Sequence, residues 1–322
     1  MTSVILLFKM HIIHITSEIA PFAKVGGLAD VVYGLSCELI TQKNYVSVVL
    51  PKYDCLETGF IKDLQPMHQI SVTQENQRIK NTIWSGMIDG IKLYFIDPHH
   101  PQNYFRRGHI YGSPDDINRF AYFSLAALEF LYQAKIAPDI LHVHDWPTSL
   151  VPLLYKELYQ ALDYRIKGSV LTIHNLEHQG KCPPASLNHI GLKGELYLTP
   201  AKLQDPHYPY LINILKGGIV YADQLTTVSP TYEEEIKTTL GGRGLHSTLL
   251  HYQNKLTGIL NGIDFNYWNP ETDPYLPFKY PTKPIEEVII GKSANKEYLQ
   301  KEFKMHHKDS PLVGCVTRLV PQ

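Results

Sequence analysis

Short apolar runs alternate along the chain with longer stretches of helical periodicity. The runs His11–Ile15, Val46–Leu50, Ile91–Ile96, Ile140–His144, Ser169–Ile173, Gln224–Val228, Lys255–Leu260 and Leu312–Thr317 predict strands. The periodic stretches Leu28–Gln42, Asn118–Gln133, Ser149–Tyr159, Tyr210–Tyr221, Pro230–Thr238, His246–Tyr252 and Lys292–Phe303 predict helices. Strand and helix in turn specify an α/β fold, a parallel sheet with helices on both faces. The pattern breaks in 264–284, where Pro270, Pro274, Pro277, Pro281 and Pro284 can sustain neither a helix nor a central strand. That stretch reads as an extended connector. The expected organisation is a possible extension over 1–9, a first domain over 10–255, and a connector with the start of a second domain over 256–322. The alternative is that the tail packs back as an edge element of the first domain.

Composition narrows the function classes. Apolar residues make up 44% of 322 residues, enough for a packed core. Lysine and arginine number 30 against 31 acids, so there is no general attraction to nucleic acid or anionic membranes, and an anion site has to be local. Cys37, Cys55, Cys182 and Cys315 have neither metal-ligand nor disulfide-scaffold spacing, which fits a reducing interior. No apolar run reaches the roughly 18 residues of a membrane span. Met1 to Lys9 lacks a basic start and a cleavage site, and Met10 is the expected natural start because a complete strand follows it.

Four places carry candidate chemistry. After the first strand, Lys24, Gly26 and Gly27 lead into a helix. Glycines allow close backbone approach, and a helix N-terminus beside a lysine attracts phosphate. The spacing matches neither a P-loop nor a dinucleotide fingerprint. In His142-Val143-His144-Asp145-Trp146, Asp145 ends a strand, where α/β sheets bind ligands. The two histidines share a strand face, which permits metal ligation; a hydrogen-bonded core role for His142 is the simpler reading. His174 and Asn175 follow another buried strand, Asn175 also reading as a turn cap. Arg318 closes the last apolar run, where a guanidinium could neutralise a leaving phosphate. Ser229 before Pro230 reads as a helix N-cap.

Together KVGGLAD, HVHDW, TIHNLEHQG, KGGIVYADQLTTVSP, GRGL, LNGIDFNYWNPETD and TRLVPQ resemble the bacterial glycogen synthases and plant starch synthases, the family-five retaining glucosyltransferases. The resemblance runs over almost the whole chain from Met10. It implies a GT-B fold of two Rossmann-like halves with a cleft between them. It implies transfer of glucose from ADP-glucose to the 4-hydroxyl of an α-1,4-glucan such as glycogen, with retention, and with no cofactor and no metal. It assigns Lys24 to the donor phosphate, with Gly26, Gly27 and Asn175 as donor-binding neighbours. It sets His174 beside the donor glucose, Asp145 in the cleft and Arg318 on the departing diphosphate. The implied partners are ADP-glucose and glucan, not nucleic acid or membrane. The implied location is the bacterial cytoplasm, or a plastid if the source is a plant.

Two departures stand out. Pro147 follows Trp146 where many relatives place a histidine. The family's arginine-x-x-x-glutamine-lysine-glycine run reaches Gln322, and its later acidic motif and glycine-rich donor loop are not in the sequence. The expectation is that this chain alone is inactive. Two competing readings are a non-catalytic glucan-binding remnant and a piece of a glycosyltransferase using another sugar nucleotide.

Overall fold

The structure is a computed structural model and describes residues 9–75, 77–306 and 310–317. It divides into two compact units, Met1–Gly262 and Ile263–Gln322.

In the first unit a nine-stranded sheet carries the architecture. Its strands are β1 (His11–Ile15), β2 (Tyr45–Pro51), β3 (Lys62–Gln74), β4 (Gln77–Ile88), β5 (Ile91–Pro98), β6 (Ile140–His144), β7 (Gly168–Ile173), β10 (Gln224–Thr227) and β11 (Leu256–Gly258). A short antiparallel pair, β8 (Lys181–Cys182) and β9 (Ile212–Asn213), lies apart from it. The sheet order is β11-β10-β7-β6-β1-β2-β5-β4-β3. From β11 to β5 every pairing is parallel, while β5-β4 and β4-β3 are antiparallel. The strand order reverses about β1, and the crevice at such a switch point is where open α/β sheets bind ligands. The loops after β1 and β6 flank it.

The expected all-parallel sheet is thus corrected at one edge. The β3-β4 hairpin has no counterpart in the sequence reading. In β3 only Ile70 and Val72 are buried, and Pro66 sits at a register shift, a position open to proline on an edge strand. β4 carries a legible signal, with Ile79, Asn81, Ile83 and Ser85 alternating inward.

The helices are α1 (Gly27–Thr41), α2 (Asp116–Gln133), α3 (Asp145–Thr148), α4 (Leu150–Leu154), α5 (Ile214–Tyr221), α6 (Pro230–Ile236), α7 (His246–His251) and, in the second unit, α8 (Ile285–Glu302). α2 is buried along most of its length, including Phe120, Tyr122, Phe123 and Phe130. The helix expected over 149–159 is instead α4 and a π-helical turn at Tyr155–Tyr159, with the short α3 ahead of it. α5 starts later than expected because Asn213 caps it, its side chain accepting the Lys216 N–H at 3.0 Å. Ser229 is the N-cap of α6, accepting the Tyr232 N–H at 2.9 Å, with Pro230 in the first turn.

Leu256–Gly258, just past the expected end of the first domain at Lys255, pairs in parallel with β10 and falls in the first compact unit. In the second unit α8 begins seven residues before its expected start, directly after Pro284, with Glu286 and Glu287 in its first turn. The strand expected at Leu312–Thr317 is absent: these residues are coil and mostly exposed. A strand needs hydrogen-bonded neighbours, and no described segment pairs with it. Arg318 and the residues before Lys9 lie outside the described residues.

Candidate active site

β6 and β7 are adjacent, and their carboxyl ends bring two of the expected residues together. Asp145 sits at φ +52°, a left-handed backbone that aspartate tolerates better than most residues. This turn aims its carboxylate at β7, where Oδ1 accepts the His174 N–H at 2.7 Å and the Asn175 N–H at 3.4 Å. Burial pushes the Asp145 carboxyl up to about 7, against the lowering effect of those two N–H donors; the nearby Glu18 carboxylate adds a smaller upward push. The group therefore changes protonation near neutrality.

His174 lies in a row of imidazoles. Its Nε2 is 3.1 Å from His144 Nδ1, and His144 Nε2 is 3.0 Å from His14 Nδ1. The row follows from strand geometry. His142 and His144 are two residues apart on β6, and His14 is the register partner of His142 on β1. His142 is bonded within the core, as expected: its Nε2 is 2.6 Å from Thr172 Oγ1, which is 2.7 Å from Thr226 Oγ1. Burial pulls His14 and His174 down to about 4, and holds His142 and His144 well below the usual histidine range. The ligating atoms of His14, His142 and His144 lie within 4.8 Å of one another. Their planes are tilted only 21° to 33° to each other, so the in-plane lone pairs do not converge well on one point.

The glycine turn differs from its expectation in one respect. Its main-chain donors already face a carboxylate: Glu18 Oε2 accepts from the N–H of Val25 at 2.6 Å and of Gly26 at 2.9 Å. Tyr111 donates to Glu18 Oε1 at 2.7 Å. Lys24 pairs with Asp30 at 2.7 Å on the surface. A Cβ on Gly26 or Gly27 would meet nothing within 4 Å, so internal packing does not demand these glycines. Gly27 opens α1, whose first-turn N–H groups have no intrahelical partner.

Asn175 serves as a turn cap, its Oδ1 accepting the Glu177 N–H at 2.9 Å. The rest of that segment is braced from both sides. Gln179 donates to the carbonyls of Leu176 and Arg243, and Arg243 pairs with Glu177 at 3.2 Å. Gly180, at φ +65°, lies so close to Trp146 that a Cβ would come within 2.7 Å of the indole. That contact couples HVHDW to TIHNLEHQG through packing. Sequence reasoning missed Glu18, Tyr111 and His14. Only Glu18 had a usable signal, an acid inside the turn that follows the first strand.

A profile described as the starch synthase catalytic domain matches residues 11–251. The chain is 48% identical over 320 residues to a glycogen synthase of Protochlamydia amoebophila, covering 97% of this chain and 64% of that protein. It is 43% identical over 316 residues to a probable starch synthase 4, chloroplastic/amyloplastic, of Arabidopsis thaliana, covering 97% of this chain and 30% of that protein. The solved catalytic domain of Starch Synthase IV from Arabidopsis thaliana, bound to ADP and acarbose, matches with a TM-score of 0.89 and 42% identity, over 98% of this chain and 64% of that one. The α/β fold is accordingly that of the GT-B glycosyltransferases. The chain spans 64% of the length of the Protochlamydia relative and belongs to the glycogen and starch synthase family, whose starch synthase catalytic domain it carries.

Proposed function

We propose that this chain provides the first half of an ADP-glucose-dependent α-1,4-glucan glucosyltransferase of glycogen or starch synthesis. The observation that carries the reading is the hydrogen bond from the His174 N–H to Asp145, which ties two polar groups at adjacent strand ends beside the switch point. The ligands of the solved relative, ADP and acarbose, support the same ligand classes.

In this reading the α1 N-terminus and Lys24 hold the donor diphosphate. His174 and Asp145 flank the transferred glucose, and Arg318 takes up charge on the departing diphosphate. Developing negative charge on the leaving group is met by fixed cations and helix dipoles, the electrostatic contribution that is commonly largest. Neither a metal nor a cofactor has a step here. The domain plan assigns residues up to Gly262 to the first Rossmann-like half and the remainder to the connector and the opening of the second. No described helix is long and apolar enough to cross a membrane; we assign the protein to a bacterial cytoplasm or a plastid.

The test is incorporation of labelled glucose from ADP-glucose into glycogen. It is run on this chain and on the chain joined to the further length its relatives possess. Activity in the longer protein alone is expected. Transfer by the 322-residue chain would overturn the assignment of essential groups beyond it, and silence of both would overturn the donor or the reaction.

A further inference from the structure

His14, His144 and His174 form a two-link chain, with His14 Nδ1 facing His144 Nε2 and His144 Nδ1 facing His174 Nε2. A neutral imidazole has one N–H and one lone pair. Each link needs one of each. His144 sits between the two links, so when it donates to one neighbour it must accept from the other. A doubly protonated His144 could donate at both ends, but burial and the surrounding imidazoles keep it neutral. The chain is left with two uniform states: all three protons on Nδ1, or all three on Nε2.

The far end selects between them. His14 is fully buried, and its Nε2 has no hydrogen-bond partner among the described residues. In one state His14 buries a bare lone pair there; in the other it buries an N–H. Among main-chain groups an orphaned buried N–H is rarer than an under-satisfied acceptor, and we apply the same order to the imidazole. The state with His14 bare at Nε2 is therefore favoured, and it runs His14 Nδ1–H to His144, then His144 Nδ1–H to His174.

We propose that His14 and His144 are positioning residues that fix His174 in the tautomer carrying its proton on Nδ1. At the other end His174 is only partly buried, and its Nδ1 is not among the buried side-chain nitrogens left without a partner, so an N–H is tolerated there where it is not on His14 Nε2. His174 thus offers an N–H donor at the strand end, suited to a ligand oxygen acceptor such as a sugar hydroxyl. That last consequence rests on the proposed function; the tautomer does not. The neighbouring His142 stands outside the chain, because its Nε2 is engaged by Thr172.

The experiment is long-range 15N–1H correlation NMR on the 15N-labelled 322-residue chain, which separates protonated from bare ring nitrogens. Nδ1–H is expected for His14, His144 and His174 alike, and Nε2–H on any one of them overturns the proposal. In His144→Asn the amide can donate to or accept from His174, so both tautomers find a partner. The Nε2–H form, intrinsically the more stable for a free imidazole, should then take over at His174. An unchanged His174 in the folded variant overturns the role of His144. His142→Phe keeps a stacked ring and should leave His174 unaltered; a changed tautomer there would mean that stacking, not the chain, sets it, and would overturn the proposal. None of these readouts uses glucose transfer, so loss of the functional reading and loss of the tautomer assignment are separable.

Discussion

The Asp145 carboxylate accepts the His174 main-chain N–H at 2.7 Å, fastening the end of β6 to the end of β7. Asp145→Asn keeps an Oδ1 acceptor, tolerates the left-handed backbone and removes a carboxyl whose charge is disfavoured by burial. Above pH 7 this variant should unfold in urea at no lower a midpoint than the parent. Asp145→Ala loses the acceptor and places alanine at positive φ, and should cost about 2–4 kcal/mol. If the longer protein transfers glucose as proposed, its Asp145→Asn variant should do so roughly a hundredfold or more slowly.

Acid should destabilise the first unit through its histidines. His14 is held at about 4 in the folded state against an unfolded value of 6.5, so between those values the unfolded chain binds more protons and stability drops as pH falls. His142, His144 and His174 act in the same direction. Asp145, raised to about 7, acts oppositely: its contribution is full at low pH and is lost as pH rises through 7. Four histidines outweigh one carboxyl among these groups. His14→Phe should flatten the pH dependence of unfolding free energy by up to about 1.4 kcal/mol per pH unit between roughly pH 4.5 and 6. Chemical denaturation at stepped pH measures it, and an unchanged slope would contradict the neutral, buried His14.

Glu18 holds the glycine turn through Val25, Gly26 and Tyr111. Glu18→Ala leaves the Val25 and Gly26 N–H groups without their acceptor and should cost about 1–3 kcal/mol. Amide exchange at Val25 and Gly26 should quicken about tenfold or more. Exchange that stays slow would show that something else secures the turn.

The glycines of Lys216-Gly217-Gly218 answer to packing. A Cβ at Gly218 would come within 2.7 Å of Ser149 and 2.9 Å of Leu171, and one at Gly217 within 2.9 Å of Leu203. Gly218→Ala should destabilise by about 1–3 kcal/mol despite alanine's better helix propensity. A gain in thermal midpoint would mean that α5 can shift away from Ser149.

Lys24 and Asp30 are surface partners, and Lys24→Ala should change stability by under about 1 kcal/mol. If Lys24 meets the donor diphosphate, the same variant of the longer protein should bind ADP-glucose at least tenfold more weakly by calorimetry. Equal binding would remove Lys24 from the donor site.

The alternation of apolar runs with helical periodicity was enough to specify an α/β fold, and the spans of β1, β6 and α1 were legible to within a residue. β1 and β6 are buried almost throughout and α1 buries one stripe, Leu28, Ala29, Val32 and Ser36, so the core they enter dictates the apolar pattern. Within the β3-β4 hairpin it is β3 that has no signature, because this edge strand faces water along most of its length and exposure removes the apolar signal that periodicity needs. Local pattern also marks the candidate residues, since HVHDW, TIHN and KVGGL put polar groups where strands end. What only the tertiary structure decided is who meets whom. His14 and His144 are 130 positions apart, and Asp145 and His174 are 29 apart. Their contacts arise from strand order and register across β1, β6 and β7, which are fixed by long-range backbone pairing and packing rather than by local pattern. The same holds for Tyr111, which reaches Glu18 from 93 positions away.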